Sequence, residues 1–369
     1  MGMGEQPPLS IVVIGRNEGE RLVRCLQSVA EMRPVGDASE VIYVDSASSD
    51  GSAERAAGLG AKVISIEPQR PTAAAGRNAG WRSARGEIVL FLDGDMTLDA
   101  DFVQRSLGEF RDSRIGVVFG DCRESDPQGS IYNRILDLDW IAPVGAVEYC
   151  GGAALIRREL LELIGGYNEL LIAAEDTELC SRIRSKGYAI LHVDRPMVHH
   201  DLAITRFAQY WKRAVRSGYA YAQVIERISR DDLPMWHRNA QRNIVQGAAM
   251  GSILAGAPIL AIALRSFVPL LVGVAVISSL AVRTAIRSQW KRAPLSTRLL
   301  HGLHSHLIQI PLLFGQLRYR RDHLRGKSAE LIEYKDNSAP RGLNVSLSYR
   351  GRLLYPAERL PLRGDKSGK

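Results

Sequence analysis

Cysteine is scarce in this 369-residue chain: Cys25, Cys122, Cys150 and Cys180 lie scattered, with no CxxC pair and no zinc-finger spacing. A disulfide framework is therefore not expected, and a reducing cytoplasm is the simplest context. A basic leader is missing as well. The first apolar run lasts only about seven residues before Arg16, Asn17 and Glu18, too short for a signal peptide, and it reads instead as a strand. The sequence has no internal repeat and no long low-complexity segment. Nor does the turn after that strand carry GxGxxG; GRNEGE stands there, which excludes the dinucleotide turn of an oxidoreductase.

What remains is a chain long enough for about two structural units. It has 48 Lys and Arg against 40 Asp and Glu, a formal charge of +8. The excess gathers in the second half, beside apolar runs. No separate basic polar patch forms, so an anionic membrane surface fits better than nucleic acid.

From residue 9 onward, short β-rich runs alternate with helical patterns. Leu9–Ile14, Val41–Val44, Lys62–Ile66 and Glu87–Leu92 read as strands. Leu22, Cys25, Leu26 and Val29 recur at the i, i+3, i+4, i+7 spacing of a helix; Ser49–Ser52 opens a second helix, and Thr72–Ala84 forms a third. Strands separated by helices predict a mostly parallel sheet covered on both faces. Between residues 117 and 200 further strands are expected at Gly116–Gly120, Cys150–Ile156 and Ala189–Val193, with helices at Arg158–Ile164 and Glu175–Lys186. These complete the sheet and supply the far side of a cleft.

In such sheets ligands sit beyond the carboxyl ends of the strands. Three ends are polar: Gly15-Arg16-Asn17-Glu18, Asp45-Ser46 and Asp93-Gly94-Asp95. Two carboxylates one residue apart on a tight turn suit a hard divalent cation bound through oxygen, its other positions left to water and phosphate. Gly94 eases the bend, and the cation would neutralise a diphosphate leaving group. Taken alone, the pair equally fits a solvated helix-capping turn, as Asp99 and Asp101 illustrate.

The series SIVVIGRNEGERLVRCLQSV, VIYVDSASSDGS, AAAGRNAGWRSARGEIVLFLDGDM and GGYNELLIAAEDTELCSRIRSKGY resembles the family 2 glycosyltransferases with a GT-A fold. The resemblance runs over residues 9 to 220, and it implies an α/β nucleotide-diphospho-sugar transferase fold with a doubly wound, mostly parallel sheet. By the same resemblance Asn17, Glu18 and Asp45 lie around the nucleotide base and ribose, and Arg77 and Asn78 also face the nucleotide. Asp93 and Asp95 would hold Mn²⁺ or Mg²⁺ on the diphosphate, Asp93 also reaching the ribose. The family's usual DDGS is Asp45-Ser46-Ala47-Ser48 here, which leaves the base contact open.

Joining an acceptor hydroxyl to an activated sugar by one in-line displacement inverts the anomeric carbon. The hydroxyl loses its proton as it attacks, and a positioned carboxylate contributes roughly 100- to 10,000-fold. Asp176, in the pair that opens EDTELCSRIRSKG, matches the family's base, with Glu175 in reserve. Acids in a first helical turn also fit a purely dipole-stabilising role. His200, in Val198-His199-His200-Asp201, is similar to positions that reach the metal or diphosphate in some GT-A enzymes, and a structural role fits it equally. Trp140 and Tyr149 flank a segment on the acceptor face, where aromatics either stack on a sugar or pack.

Residues 244–264 carry no charge over 21 positions, enough to cross a hydrocarbon core of about 30 Å. After Arg265, residues 266–282 add 17 more, short but sufficient with flanking arginines snorkelling. Arg238 and Arg242 precede this hairpin and Arg283, Arg287, Lys291 and Arg292 follow it, against Arg265 alone at the bend. The charge bias predicts both ends in the cytoplasm, where nucleotide sugars are made. Residues 299–317 are expected to form an interfacial or re-entrant helix, and the helix Arg206–Arg227 to lie at the membrane surface.

The plan that follows is a catalytic domain over 1–232, a membrane-associated helical region over 233–317 and a basic extended tail over 318–369. The expected protein sits at the inner face of the cytoplasmic membrane, with a nucleoside-diphosphate sugar as donor and a lipid-linked or surface-glycan acceptor. The competing reading is a nucleotide-sugar-binding membrane scaffold without turnover; the joint presence of Asp45, Arg77, Asp93, Asp95 and Asp176 stands against it.

Overall fold

The structure is a computed structural model that describes residues 9–35, 39–327 and 332–333. The apolar Leu9–Gly15 becomes β1, with Ile11, Val12 and Val13 wholly buried, as a strand covered on both faces must be. There follow α1 (Glu20–Ala30), β2 (Ser39–Asp45), α2 (Ser52–Gly58), β3 (Lys62–Ser65), α3 (Ala73–Ser83) and β4 (Ile88–Asp93). The chain steps outward from β1 to β2 and β3, then returns to place β4 on the opposite flank of β1; all these pairings are parallel. Gly15 lies beside Asp45 and Ile14 beside Asp93, so the three polar strand ends form one row at the point where the winding reverses.

The second half is β5 (Met96–Leu98), α4 (Phe102–Ser106), β6 (Ile115–Glu124), α5 (Ile131–Trp140), β7 (Gly145–Val147), β8 (Ala154–Arg157), α6 (Arg158–Ile164), α7 (Glu175–Ser185) and β9 (Ala189–His200). The sheet order is β3-β2-β1-β4-β8-β6-β9-β5, with β7 also on β9. Here the expected parallel arrangement gives way to a mixed one. β8 runs antiparallel to both β4 and β6, while β6 and β9 are parallel.

Two expected boundaries shift, each for a visible reason. β8 begins at Ala154, not at Cys150, because Gly151 and Gly152 form a loop over the end of β4. β9 runs on to His200, beyond the expected Val193, because its last residues find a ladder partner in β5, with Met96 opposite His200.

Beyond the sheet come α8 (Phe207–Ile225), α9 (Pro234–Ala263), α10 (Val268–Arg287), α11 (Leu295–Leu307) and α12 (Gln309–Leu324). α9 and α10 are long and apolar enough to cross a membrane, and only 11% and 17% of their most apolar windows are buried. Ile262 and Phe267 are each 79% exposed. Such bare apolar helices do not fit the alternative of a hairpin buried in a soluble core. The uncharged run at 299–317 is two helices broken at Ile308, and α12 continues through Leu324 where an extended tail was expected. Apart from 332–333, the expected tail beyond 327 lies outside the described residues. α12 is clamped against α8: a Cβ on Gly315 would meet the Val215 carbonyl oxygen at 2.1 Å, so glycine is required for this approach.

Candidate active site

The row of strand ends is tied together by polar groups. Asn17 is left-handed, and its Oδ1 accepts from the Ser49 amide at 2.8 Å while its own amide donates to Ser48 Oγ at 2.9 Å. Asp45 is buried; Oδ1 accepts from the Tyr43 hydroxyl at 3.0 Å and Oδ2 from the Ser48 amide at 2.9 Å. Both residues therefore shape the β1 and β2 loops from within. Glu18 pairs with Arg21 at 2.9 Å.

Arg77 lies in α3, whose first turn is capped by the Thr72 hydroxyl, an acceptor for the Ala75 amide. Its side chain is 2% exposed. It joins two acids. Nη2 donates to Asp93 Oδ1 at 2.7 Å, Nη1 donates to Glu175 Oε1, and the guanidinium sits 5.6 Å from the centre of the Tyr167 ring. These two carboxylates keep Arg77 charged despite its burial.

Asn78 is likewise buried. Its Oδ1 accepts from the Tyr167 amide and the Trp81 indole, and its Nδ2 donates to the Tyr167 carbonyl and to Glu169. It fastens the loop before α7 to α3.

α7 starts after Ala174, a left-handed residue at φ 62°. Holding a residue with a side chain there costs on the order of 1 kcal/mol, strain of the kind found at functional sites. Glu175 is committed to Arg77. Asp176 accepts from the Thr177 amide at 2.8 Å. Burial, reinforced by the negative charge of Glu175 and opposed by Arg77, raises its pKa to about 7. A carboxylate in that range is matched to taking a proton near neutrality.

On the other side of Asp93 the turn continues to the buried Asp95, whose Oδ2 lies 3.2 Å from His200 Nε2. The pairing of β5 with β9 brings them together. Trp140 stacks on the His200 ring with centroids 5.1 Å apart and planes 12° from parallel. Tyr149 meets Trp236 of α9 edge-on, and Tyr221 stacks on the same indole at 4.2 Å.

Whether these residues fit a cation is decided by Gly152. A Cβ there would lie 2.6 Å from Arg77 Nη2 and 3.1 Å from Asp93 Oδ2, so the absent side chain keeps the Asp93 carboxylate accessible from that side. Among the described residues no group of three or more His, Cys, Asp or Glu forms a ready-made cage. A carboxylate pair such as Asp93 and Asp95 suits an oxygen-preferring cation that also takes water and diphosphate oxygens.

Glu124 escaped the reading of the sequence. It closes β6 opposite His200, is buried, and has its pKa raised to about 7 by that burial. Its oxygens accept from the Asp126 and Leu202 amides and from Asn133 Nδ2, so it braces the loops behind His200. The available signal was the one that marked Asp93, an acid ending an apolar strand.

Residues 10–165 match the family model described as Glycosyl transferase family 2. The chain carries a family 2 glycosyltransferase domain. Glycosyltransferase AglE of Haloferax volcanii is 24% identical over 234 residues, which cover 60% of this chain and 76% of that protein. The probable glycosyltransferase YdaM of Bacillus subtilis is 26% identical over 51% of this chain and 49% of its own. The pre-mycofactocin glycosyltransferase of Mycobacterium tuberculosis is 28% identical, the match spanning 52% of this chain and 42% of that one. The chain thus spans about half or less of the latter two relatives. Among solved structures, the mannosyltransferase PcManGT from Pyrobaculum calidifontis, in complex with GDP-Man and Mn²⁺, superposes with a TM-score of 0.62 at 21% identity. That match covers 86% of this chain and 88% of the mannosyltransferase, and gives the glycosyltransferase domain its GT-A fold.

Proposed function

We propose that the protein transfers a sugar from a nucleoside-diphosphate sugar to a lipid-linked or surface-glycan acceptor at the cytoplasmic face of the membrane, with inversion. The observation that carries this reading is Arg77. One buried guanidinium holds Asp93 of the acidic turn and Glu175 of α7, setting the donor side beside Asp176.

Asp176 accepts the acceptor hydroxyl's proton while that oxygen forms its bond to the anomeric carbon and the bond to the diphosphate breaks. Its raised pKa favours that step, and Glu175, paired with Arg77, maintains the local charge that raises it. Asp93, Asp95 and His200 would hold a divalent cation, Mn²⁺ or Mg²⁺. When bound, the cation offsets the charge that builds on the departing diphosphate. Asn17 and Asp45 keep the nucleotide loops in place.

The apolar α9 and α10 support attachment to a bilayer, and the arginines flanking them support a cytoplasmic catalytic domain. The relatives' printed functions span glycosyltransferases of archaea and bacteria, in keeping with a glycan or lipid-linked acceptor.

Calorimetry with UDP and GDP, each with and without Mn²⁺ or Mg²⁺, tests the donor side. Binding is expected to require the cation and to be lost in Asp95→Ala. Cation-independent binding of equal strength in that variant would refute the assignment of the acidic turn. A non-catalytic scaffold would bind the nucleotide and release no diphosphate from any sugar nucleotide.

A further inference from the structure

The last turn of α5 is gripped from the far side by the segment that follows the apolar hairpin. Asp139 presents one carboxylate oxygen to each of two imidazoles: Oδ1 accepts from His301 Nε2 at 2.9 Å and Oδ2 from His304 Nε2 at 3.1 Å. His304 is oriented in turn by Tyr210 of α8, whose hydroxyl meets Nδ1 at 2.7 Å. With Nε2 donating, Nδ1 is the acceptor for that hydroxyl. Lys291 adds a bond from Nζ to the Leu138 carbonyl. Three donors from one side thus fix two adjacent residues, Leu138 and Asp139.

The next residue is Trp140, and it lies flat on His200. It also packs against the cluster of Leu136, Leu202, Ile204 and Tyr210, so its indole lies between that cluster and the His200 ring. His200 in turn meets Asp95. A stacked indole restricts the imidazole to the rotation that keeps Nε2 on Asp95. The arrangement is continuous from α11 through Asp139 and Trp140 to the acidic turn.

We propose that Asp139 is a positioning residue for the donor side: pinned by His301 and His304 of α11, it sets the turn that lays Trp140 on His200. The proposal rests on the reading above, in which His200 and Asp95 serve the diphosphate. It makes the helix after the hairpin part of the catalytic architecture.

The test uses the full chain in detergent or nanodiscs. The variants are Asp139→Asn, the double variants His301→Ala/His304→Ala and His301→Gln/His304→Gln, and Trp140→Phe as the reference that isolates Trp140 emission. Two quantities are read: acrylamide quenching of Trp140 without any ligand, and kcat and KM for the sugar nucleotide. Asp139→Asn and the alanine pair should raise the Trp140 quenching constant at least about twofold and lower kcat about tenfold, as expected for misplaced groups. The glutamine pair keeps a donor near each Nε2 position and should restore both. Unchanged shielding of Trp140 in the alanine pair overturns the proposal, as does increased exposure without loss of turnover. Absence of turnover in the wild type would refute the transferase reading instead, while the quenching series still decides the placement of Trp140.

Discussion

Replacing Asp176 by asparagine should make the protein more stable and nearly inactive. An aspartate ordinarily titrates near 3.8, and this one is raised to about 7, chiefly by burial and then by Glu175. The ionised form is therefore disfavoured in the folded protein, by at most about 4 kcal/mol. Arg77 and Glu175 share that energy, so a gain of about 1–3 kcal/mol on neutralisation is expected. The sign fixes the pH window. A raised carboxyl pKa gives no penalty below the unfolded value near 4, a growing one between about 4 and 7, and the full penalty above 7. The variant's advantage should thus be largest at mildly alkaline pH and fade on acidification. The amide oxygen can still accept from the Thr177 amide, so the start of α7 survives. Thermal melts of wild type and variant between about pH 5 and pH 8 measure the difference. Transfer should fall roughly 100- to 10,000-fold, with donor binding unchanged, and wild-type activity should rise with pH through about 7. A variant that is less stable at pH 8, or that turns over at the wild-type rate, would refute the assignment.

Arg77→Met leaves Asp93 and Glu175 facing an apolar side chain and should destabilise the fold by about 3–5 kcal/mol in denaturant titration. Arg77→Lys should recover only part, since an ammonium lacks the fork that reaches both acids. Gly152→Ala places a methyl group against Arg77 and Asp93; because that guanidinium is held by two acids, the melting temperature should fall, and calorimetry should show donor–cation affinity reduced about tenfold or more. In a Cys122→Ser background, a cysteine at Arg265 should react with an impermeant maleimide added outside cells. One at Arg238 should react only after lysis.

The strand ends were legible because each sets polar groups against an apolar run, a contrast visible within a few residues at Asp45 and Asp93. Arg77 was visible as a site residue, but its bond to Glu175 was not, because that partner is 98 positions away. Nothing in local sequence distinguishes a buried bridging arginine from one facing a ligand. His200 reaches Asp95 through the three-residue β5, too short to leave a periodic signal. Asp139 and His301, 162 positions apart, have no shared pattern; their meeting depends on α11 folding back on α5. The apolar hairpin was plain by length alone, whereas the break at Ile308 was hidden in a run whose hydropathy is continuous across it.

α9 is a single helix of 30 residues. One end holds Trp236 among Tyr149 and Tyr221, in the cluster that includes Ala174, two residues before Asp176; the other carries bare Ile259 and Ile262. The helix spans about 45 Å, with Pro258 as a point of bending just before Ile259. A thinner bilayer would tilt such a helix, and the part of that tilt not absorbed at Pro258 would shift the aromatic rings at its inner end. Lipid composition would then reach the acceptor side of the cleft mechanically, through the angle at which one helix stands.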